Sequence, residues 1–155
     1  MILFASDIEV FTLLGNLIKN QDVLESGEEI ISGNWKYVFK VQTDGNLVLY
    51  HGFDVLWASG THDTGSQPYS LKLQKDNHLV LYDDDSNVIW APDVYAGKDG
   101  NNQWTEGGYA ILQNDGNFVV YDGDNRAMWA TDTHSGKTGS NQGGIWKGNK
   151  PNAIS

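Results

Sequence analysis

The sequence predicts an all-β protein, a closed three-sided prism of antiparallel sheets. Three observations carry that expectation. A nine-residue pattern with alternating fixed positions occurs three times, and a Trp-Ala pair follows each copy. Eighteen Gly, six Trp and seven Tyr in 155 residues suit many tight turns between strands better than a helix bundle.

Taken in order, residues 1–20 precede the repeat and are expected to form an N-terminal arm. Ile8, Phe11, Leu14 and Leu17 fall at near-helical spacing, although the same stretch reads equally as a strand. The first unit then gives Tyr37–Gln42 as an alternating strand, Asp44-Gly45 as a tight turn and Asn46–Tyr50 as a second strand. A turn near Gly52 leads into a third strand, Val55–Ala58. The third unit repeats this with Tyr109–Gln113, Asp115-Gly116, Asn117–Tyr121 and Ala127–Ala130. The second unit carries Asn77 at the turn, where the other two carry Gly; Asn also tolerates positive φ.

The units are regular. Gln-to-Trp offsets are 15, 16 and 16 residues, and the second and third units lie 39 residues apart by either landmark. The loop Gly97–Gln103 resembles Gly136–Gln142 at the same step. A fixed period of this size signals an array of similar supersecondary units. Such units have too little core to stand alone, so the three are expected to fold together. Leu47 and Leu49, Leu79 and Leu81, and Phe118 and Val120 alternate with the motif positions and are expected to face a shared interior. Trp57, Trp90 and Trp129 are expected on the common axis, because each buries a large apolar area. The tail from Gly136 copies the start of a fourth unit and stops. Gly143–Lys147 reads as one further strand that needs a sheet edge, either in the first sheet of its own chain or in a second chain.

Bulk properties bound the function. Twenty acidic against ten basic residues give a net charge of −10, with no Lys/Arg run, so nucleic acid and anionic membrane surfaces are poor partners. No Cys is present, which excludes disulfides, cysteine-ligated zinc and a thiol nucleophile. The N-terminal apolar run lacks a basic leader and is interrupted by Asp7 and Glu9. It is a poor secretory signal and too short to span a bilayer, which favours a cytoplasmic or non-classically secreted protein without membrane insertion.

The repeated motif carries the chemistry. Gln42, Asp44, Asn46, Val48 and Tyr50 sit two apart, as do Gln74, Asp76, His78, Val80 and Tyr82, and Gln113, Asp115, Asn117, Val119 and Tyr121. Two is the side-chain period of an extended chain, so all five can face one way. An ionised Asp only accepts hydrogen bonds, Gln, Asn and Tyr do both, and Val offers an apolar patch. That set matches a sugar, with several hydroxyls around a partly apolar ring. The bland reading, a polar coat on a sheet with Asp-Gly as turn chemistry, suits one copy; three complete five-residue sets favour a binding motif.

On these motifs, the Trp-Ala pairs and the lead-in Asn20–Gly33, the chain resembles the monocot mannose-binding, bulb-type or snowdrop-like lectins. The resemblance covers residues 21–146, leaving 1–20 as an arm and 147–155 as a tail. It implies a β-prism II fold of three four-stranded antiparallel sheets about a pseudo-threefold axis. It also implies binding of α-D-mannose or mannose-rich glycans with no catalysis, metal or cofactor. A homodimer formed by C-terminal strand exchange is implied as well. By the same match the Gln, Asp, Asn and Tyr of a copy would bind hydroxyls, and the Val would pack on the ring.

Two departures stand out. Many plant members have a Cys pair where this chain has Gly45 and, nearby, Tyr69; that connection is therefore expected to be held by packing, and closer kin are expected among non-plant or intracellular members. His78 replaces the second Asn. Imidazole has a different reach and charges in mild acid, so the second site is expected to be weak, lost or altered.

Other constellations are weaker. Asp83–Asn87 starts like a calcium loop but has Val88 and Val94 where Gly and Glu are required, so it reads as an acidic hairpin turn, as does Asp122–Asn125. His51, His62, His78 and His134 have no metal spacing. No nucleophile elbow or phosphate-cradling loop occurs. Two alternatives to a lectin are carried: a protein-interaction or toxin module with vestigial sugar sites, and a glycosidase, to which nothing positive points.

Overall fold

A computed structural model describes residues 15–92 and 104–139. Its twelve strands form three four-stranded antiparallel sheets. The first sheet holds β3 (Glu29–Ile31), β4 (Tyr37–Val41), β5 (Leu47–His51) and β6 (Asp54–Ala58). The second holds β2 (Val23–Glu25), β7 (Ser70–Leu73), β8 (Leu79–Tyr82) and β9 (Val88–Trp90). The third holds β1 (Leu17–Lys19), β10 (Tyr109–Leu112), β11 (Phe118–Tyr121) and β12 (Ala127–Ala130). The strands expected in the first and third units are all present, within a residue or so at their ends.

The fourth strand of each sheet comes from the lead-in. Residues 17–31 visit the three sheets in turn, giving β1 to the third, β2 to the second and β3 to the first. Their central residues Ile18, Leu24 and Ile30 recur at a step of six and are buried. Leu17–Lys19 thus pair inside the prism, while residues 1–14 of the expected arm lie outside the described residues. Gly143–Lys147 and the loop Gly97–Gln103 also lie outside them. Among the described residues each sheet has four strands, β3 being the fourth of the first.

The interior is the expected one. Leu47, Leu49, Leu79, Leu81, Phe118 and Val120 are buried. Trp57, Trp90 and Trp129 meet edge-to-face on the axis, with centroids 5.5, 5.6 and 5.6 Å apart and interplanar angles of 71–73°. This is the T-shaped geometry that ring quadrupoles favour. Each sheet bulges at one place, just before the motif Tyr. Leu49 faces Trp57 but Tyr50 faces Val55, so Leu56 is the extra residue. A bulge lets two successive side chains point inward. Leu56-Trp57, Ile89-Trp90 and Met128-Trp129 are all buried in consequence.

The units are joined in a ring by one repeated contact. The motif-turn glycines Gly45 and Gly116 have φ of +90°, and a Cβ on either would lie 2.6–2.7 Å from the ring of Tyr69 or Tyr37 in the next unit. Packing of Tyr69 on Gly45 thus holds the first-to-second connection, as the missing Cys pair led one to expect. The second-to-third junction reverses the sizes. Asn77 (φ +69°) stands for the glycine and Gly108 for the tyrosine. Asn77 is buried; its Oδ1 accepts from Gly108 N at 2.7 Å and Asn20 Nδ2 at 3.1 Å, and its Nδ2 donates to Thr105 O at 2.7 Å.

Candidate functional site

Each motif begins in a tight turn and runs out along the middle strand of its sheet. In the first copy Asp44 Oδ1 accepts the backbone N–H of Asn46 at 2.9 Å. In the third, Asp115 Oδ1 accepts that of Asn117 at 2.9 Å. This Asx geometry is the local reason for Asp at the turn. It uses one carboxylate oxygen, and no hydrogen bond among the described residues engages the other.

The Asn amides are oriented by a second set of residues. Asn46 Oδ1 accepts from Ser59 Oγ and Gly60 N at 3.0 Å and from Thr61 N at 3.2 Å. Asn117 Oδ1 accepts from Thr133 N at 3.1 Å and Thr131 Oγ1 at 3.3 Å. A backbone N–H must meet an oxygen, so each amide presents its NH₂ away from these partners. The hydroxyls are themselves fixed: Thr61 Oγ1 donates to Gly45 O and Thr133 Oγ1 to Gly116 O, both at 2.6 Å. Ser59, Thr61, Thr131 and Thr133 were missed in the sequence reading. Their signal was there, a Ser/Thr-x-Thr after the Trp-Ala pairs of units one and three.

Gln and Tyr close the far side. Gln42 Nε2 donates to Tyr50 OH, and Gln113 Nε2 donates to Tyr121 OH at 2.9 Å. Each phenol oxygen therefore accepts from Gln and keeps its proton for another partner. Val48 and Val119 lie on the same outer face yet are almost fully buried. Both copies thus hold one carboxylate oxygen, one amide NH₂, one phenol proton and one amide oxygen above a valine. That is two acceptors and two donors, the complement of neighbouring hydroxyls on a ring.

The second copy keeps the frame and differs at the Asp oxygen. Asp76 Oδ1 accepts His78 N at 3.1 Å, as in the others. Asp76 Oδ2, however, lies 3.3 Å from His78 Nδ1, so the imidazole stands over the oxygen that the other copies keep open. Gln74 donates to Tyr82 OH, but Gln74 is fully buried and Tyr82 nearly so. Burial pushes the Tyr82 phenol up; the Gln74 bond opposes this and Asp76 adds to it. Val80 packs with Tyr82, Ala91 and Val88 in a small outer apolar cluster. In sequence, Pro92 and Val94 follow Trp90-Ala91 where Ser59 and Thr61 follow Trp57-Ala58, so the Ser/Thr-x-Thr of the first unit has no counterpart there.

The acidic hairpins are structural. Asp83 Oδ1 accepts Asp85 N at 3.0 Å and Asn87 N at 2.9 Å. Asp122 Oδ1 accepts Asp124 N at 3.0 Å and Arg126 N at 2.8 Å, and its Oδ2 meets Arg126 Nη2 at 2.7 Å. Burial raises the Asp122 carboxyl, but the Arg126, Thr105 and Asp124 hydrogen bonds outweigh it and leave it below the ordinary carboxylate range. Asp83 is lowered likewise, with Asn87, Ser66 and Asp85 outweighing burial. No group of three metal-ligating side chains is assembled among the described residues.

Fold and motif geometry together define a β-prism lectin scaffold, in which the first and third copies leave one Asp oxygen unengaged and the second sets His78 against it. Comparisons with solved structures agree. The monomeric mannose-binding lectins of Gastrodia elata match at 36% identity over 77% of this chain and 98% of theirs, with TM-score 0.64. The snowdrop (Galanthus nivalis) agglutinin, solved with methyl-α-D-mannoside, matches at 34% over 77% and 97%, with TM-score 0.57. The Marasmius oreades lectin matches at 27% over 78% and 93%, with TM-score 0.64. The chain belongs to the monocot mannose-binding lectin family. No family model and no curated protein matches it. The expectation of closer kin outside plants is not met among these three, where Gastrodia has the highest identity.

Proposed function

We propose that the chain is a non-catalytic lectin that takes mannose or the mannose ends of glycans in its first and third pockets. The observation that carries this reading is the fixed polarity of Asp44–Asn46–Tyr50 and Asp115–Asn117–Tyr121. A hydroxyl that donates to the Asp oxygen can accept from the Asn NH₂, so an adjacent hydroxyl pair is gripped from both sides. An epimer with one hydroxyl turned away leaves a polar group unpaired, at about 1–3 kcal/mol. The family match supports mannose as the sugar. Each shallow pocket is expected to bind on the millimolar scale, about 4 kcal/mol, so useful retention comes from several pockets acting together.

The decisive variant is Asp44→Asn with Asp115→Asn, which keeps the turn-bonding oxygen and replaces the outer one by NH₂. Loss of retention on a mannose surface, with unchanged circular dichroism, is the expected result. Full retention would reject the pocket assignment. A second part of the reading is a homodimer through exchange of the segment around Gly143–Lys147. It rests on the sequence of that segment, which reads as a lone strand in need of a sheet edge. Light scattering on the full chain should give twice the monomer mass of 17.1 kDa; a monomer peak would reject it.

A further inference from the structure

The row of outer residues that contains the motif Tyr continues across each sheet, and its composition differs. In the first sheet it reads Ile31, Val38, Tyr50 and Val55. In the second it reads Glu25, Ser70, Tyr82 and Val88. In the third it reads Lys19, Tyr109, Tyr121 and Ala127. Only in the third does an aromatic ring flank the motif Tyr. Tyr109 lies against Tyr121 with centroids 5.2 Å apart and planes 27° apart, and its hydroxyl donates to Asn125 Oδ1 at 2.8 Å.

Beyond Tyr109 the surface opens into a cavity of about 440 Å³ bordered by Leu17, Lys19, Asn20, Gly107, Gly108 and Tyr109. That volume lies in the range of small-molecule pockets, about 300–1,000 Å³. Its walls offer what a sugar ring needs. Tyr109 and Leu17 are apolar surface, Lys19 carries an ammonium, and Asn20 has its NH₂ committed to Gln74 O at 2.9 Å and Asn77 Oδ1 at 3.1 Å, leaving its oxygen as acceptor. Strands lie about 4.8 Å apart, so β1 is about 10 Å from the motif strand. A second pyranose linked to one held by Asp115, Asn117 and Tyr121 falls within that reach.

We propose that the third pocket is an oligosaccharide site, with its second ring on Tyr109 and in the adjoining cavity, whereas the first pocket reads a single terminal residue. The proposal rests on the pocket assignment above. It predicts two unlike sites in one chain, one blind to the neighbouring sugar and one that reads it.

The test uses the full chain with one pocket silenced at a time. With Asp44→Asn, so that the third pocket alone reports, NMR titration should give an α-linked mannobiose about tenfold tighter than methyl α-mannoside, as one added aromatic contact supplies. With Asp115→Asn, leaving the first pocket, the ratio should fall to about twofold or less. Adding Tyr109→Val, the residue type that Val38 supplies in the first sheet, to the Asp44→Asn chain should remove the disaccharide gain, bringing the ratio of disaccharide to monosaccharide affinity to about twofold or less. Tyr109→Phe, which keeps the ring, should retain the gain. An unchanged ratio after Tyr109→Val overturns the subsite alone. Failure of the Asp44→Asn chain to bind either sugar overturns the pocket reading and the subsite with it.

Discussion

Asn117→Asp is the sharpest probe of the pocket's polarity, because it exchanges one NH₂ for one oxygen and changes little else. The oxygen that accepts from Thr133 N and Thr131 Oγ1 is retained, so the strand and its anchor should stay in place. What is lost is the donor to the sugar, and the new oxygen faces a hydroxyl acceptor without a proton to share. An unmade hydrogen bond of this kind costs about 1–3 kcal/mol. At about 1.4 kcal/mol per decade that is roughly a 5- to 150-fold loss. From a millimolar start, binding should disappear from an ordinary titration. The assay is NMR titration with methyl α-mannoside in a chain carrying Asp44→Asn, alongside a thermal melt. Asn117→Asp should melt within about 0.5 kcal/mol of its parent, as surface changes do. Asn117→Ala, which also strips the anchor, should lose both binding and about 1–3 kcal/mol of stability. Retained affinity in Asn117→Asp would refute the claim that the amide presents its NH₂ to the ligand.

Two further predictions concern the frame. Gly116→Ala places a Cβ 2.7 Å from the Tyr37 ring at a φ of +90°, and should cost about 1–3 kcal/mol, read as a lower thermal midpoint; an unchanged midpoint would show that the Gly–Tyr junction does not hold the ring of units together. Asp122→Ala leaves Arg126 without its carboxylate and several N–H groups without an acceptor, a loss of about 2–4 kcal/mol at neutral pH. Because the folded Asp122 carboxyl lies below its ordinary value, its contribution is full above the unfolded value of about 3.9 and fades as pH falls through the folded one. Melts of parent and variant should therefore converge toward low pH, and a constant gap would contradict the assignment.

Much of this was legible in the sequence because each sheet repeats the same solution. Alternation at Leu47–Leu49 and its counterparts fixed which face is buried, and the Trp-Ala pairs marked the axis. The lead-in was not read as three strands. Each is three residues long, too short for alternation to register, and only the sixfold step of Ile18, Leu24 and Ile30 betrays it. The bulge before each motif Tyr was hidden for a related reason: Leu56-Trp57 reads as a break in alternation until pairing with the neighbouring strand is known. The site was legible as residue types but not as polarity. Which way Asn46 points depends on Ser59, Gly60 and Thr61, thirteen to fifteen residues further on. The fate of the second copy was half visible in His78. The burial of Gln74 needed the packed sheet.

A crystal of the full chain soaked in methyl α-mannoside tests the central claim most directly. The account predicts a pyranose in the first and third pockets, with adjacent hydroxyls between Asp44 and Asn46 and between Asp115 and Asn117, and none at His78. Sugar over His78 with the other two pockets empty, or bound away from all three motifs, would contradict it.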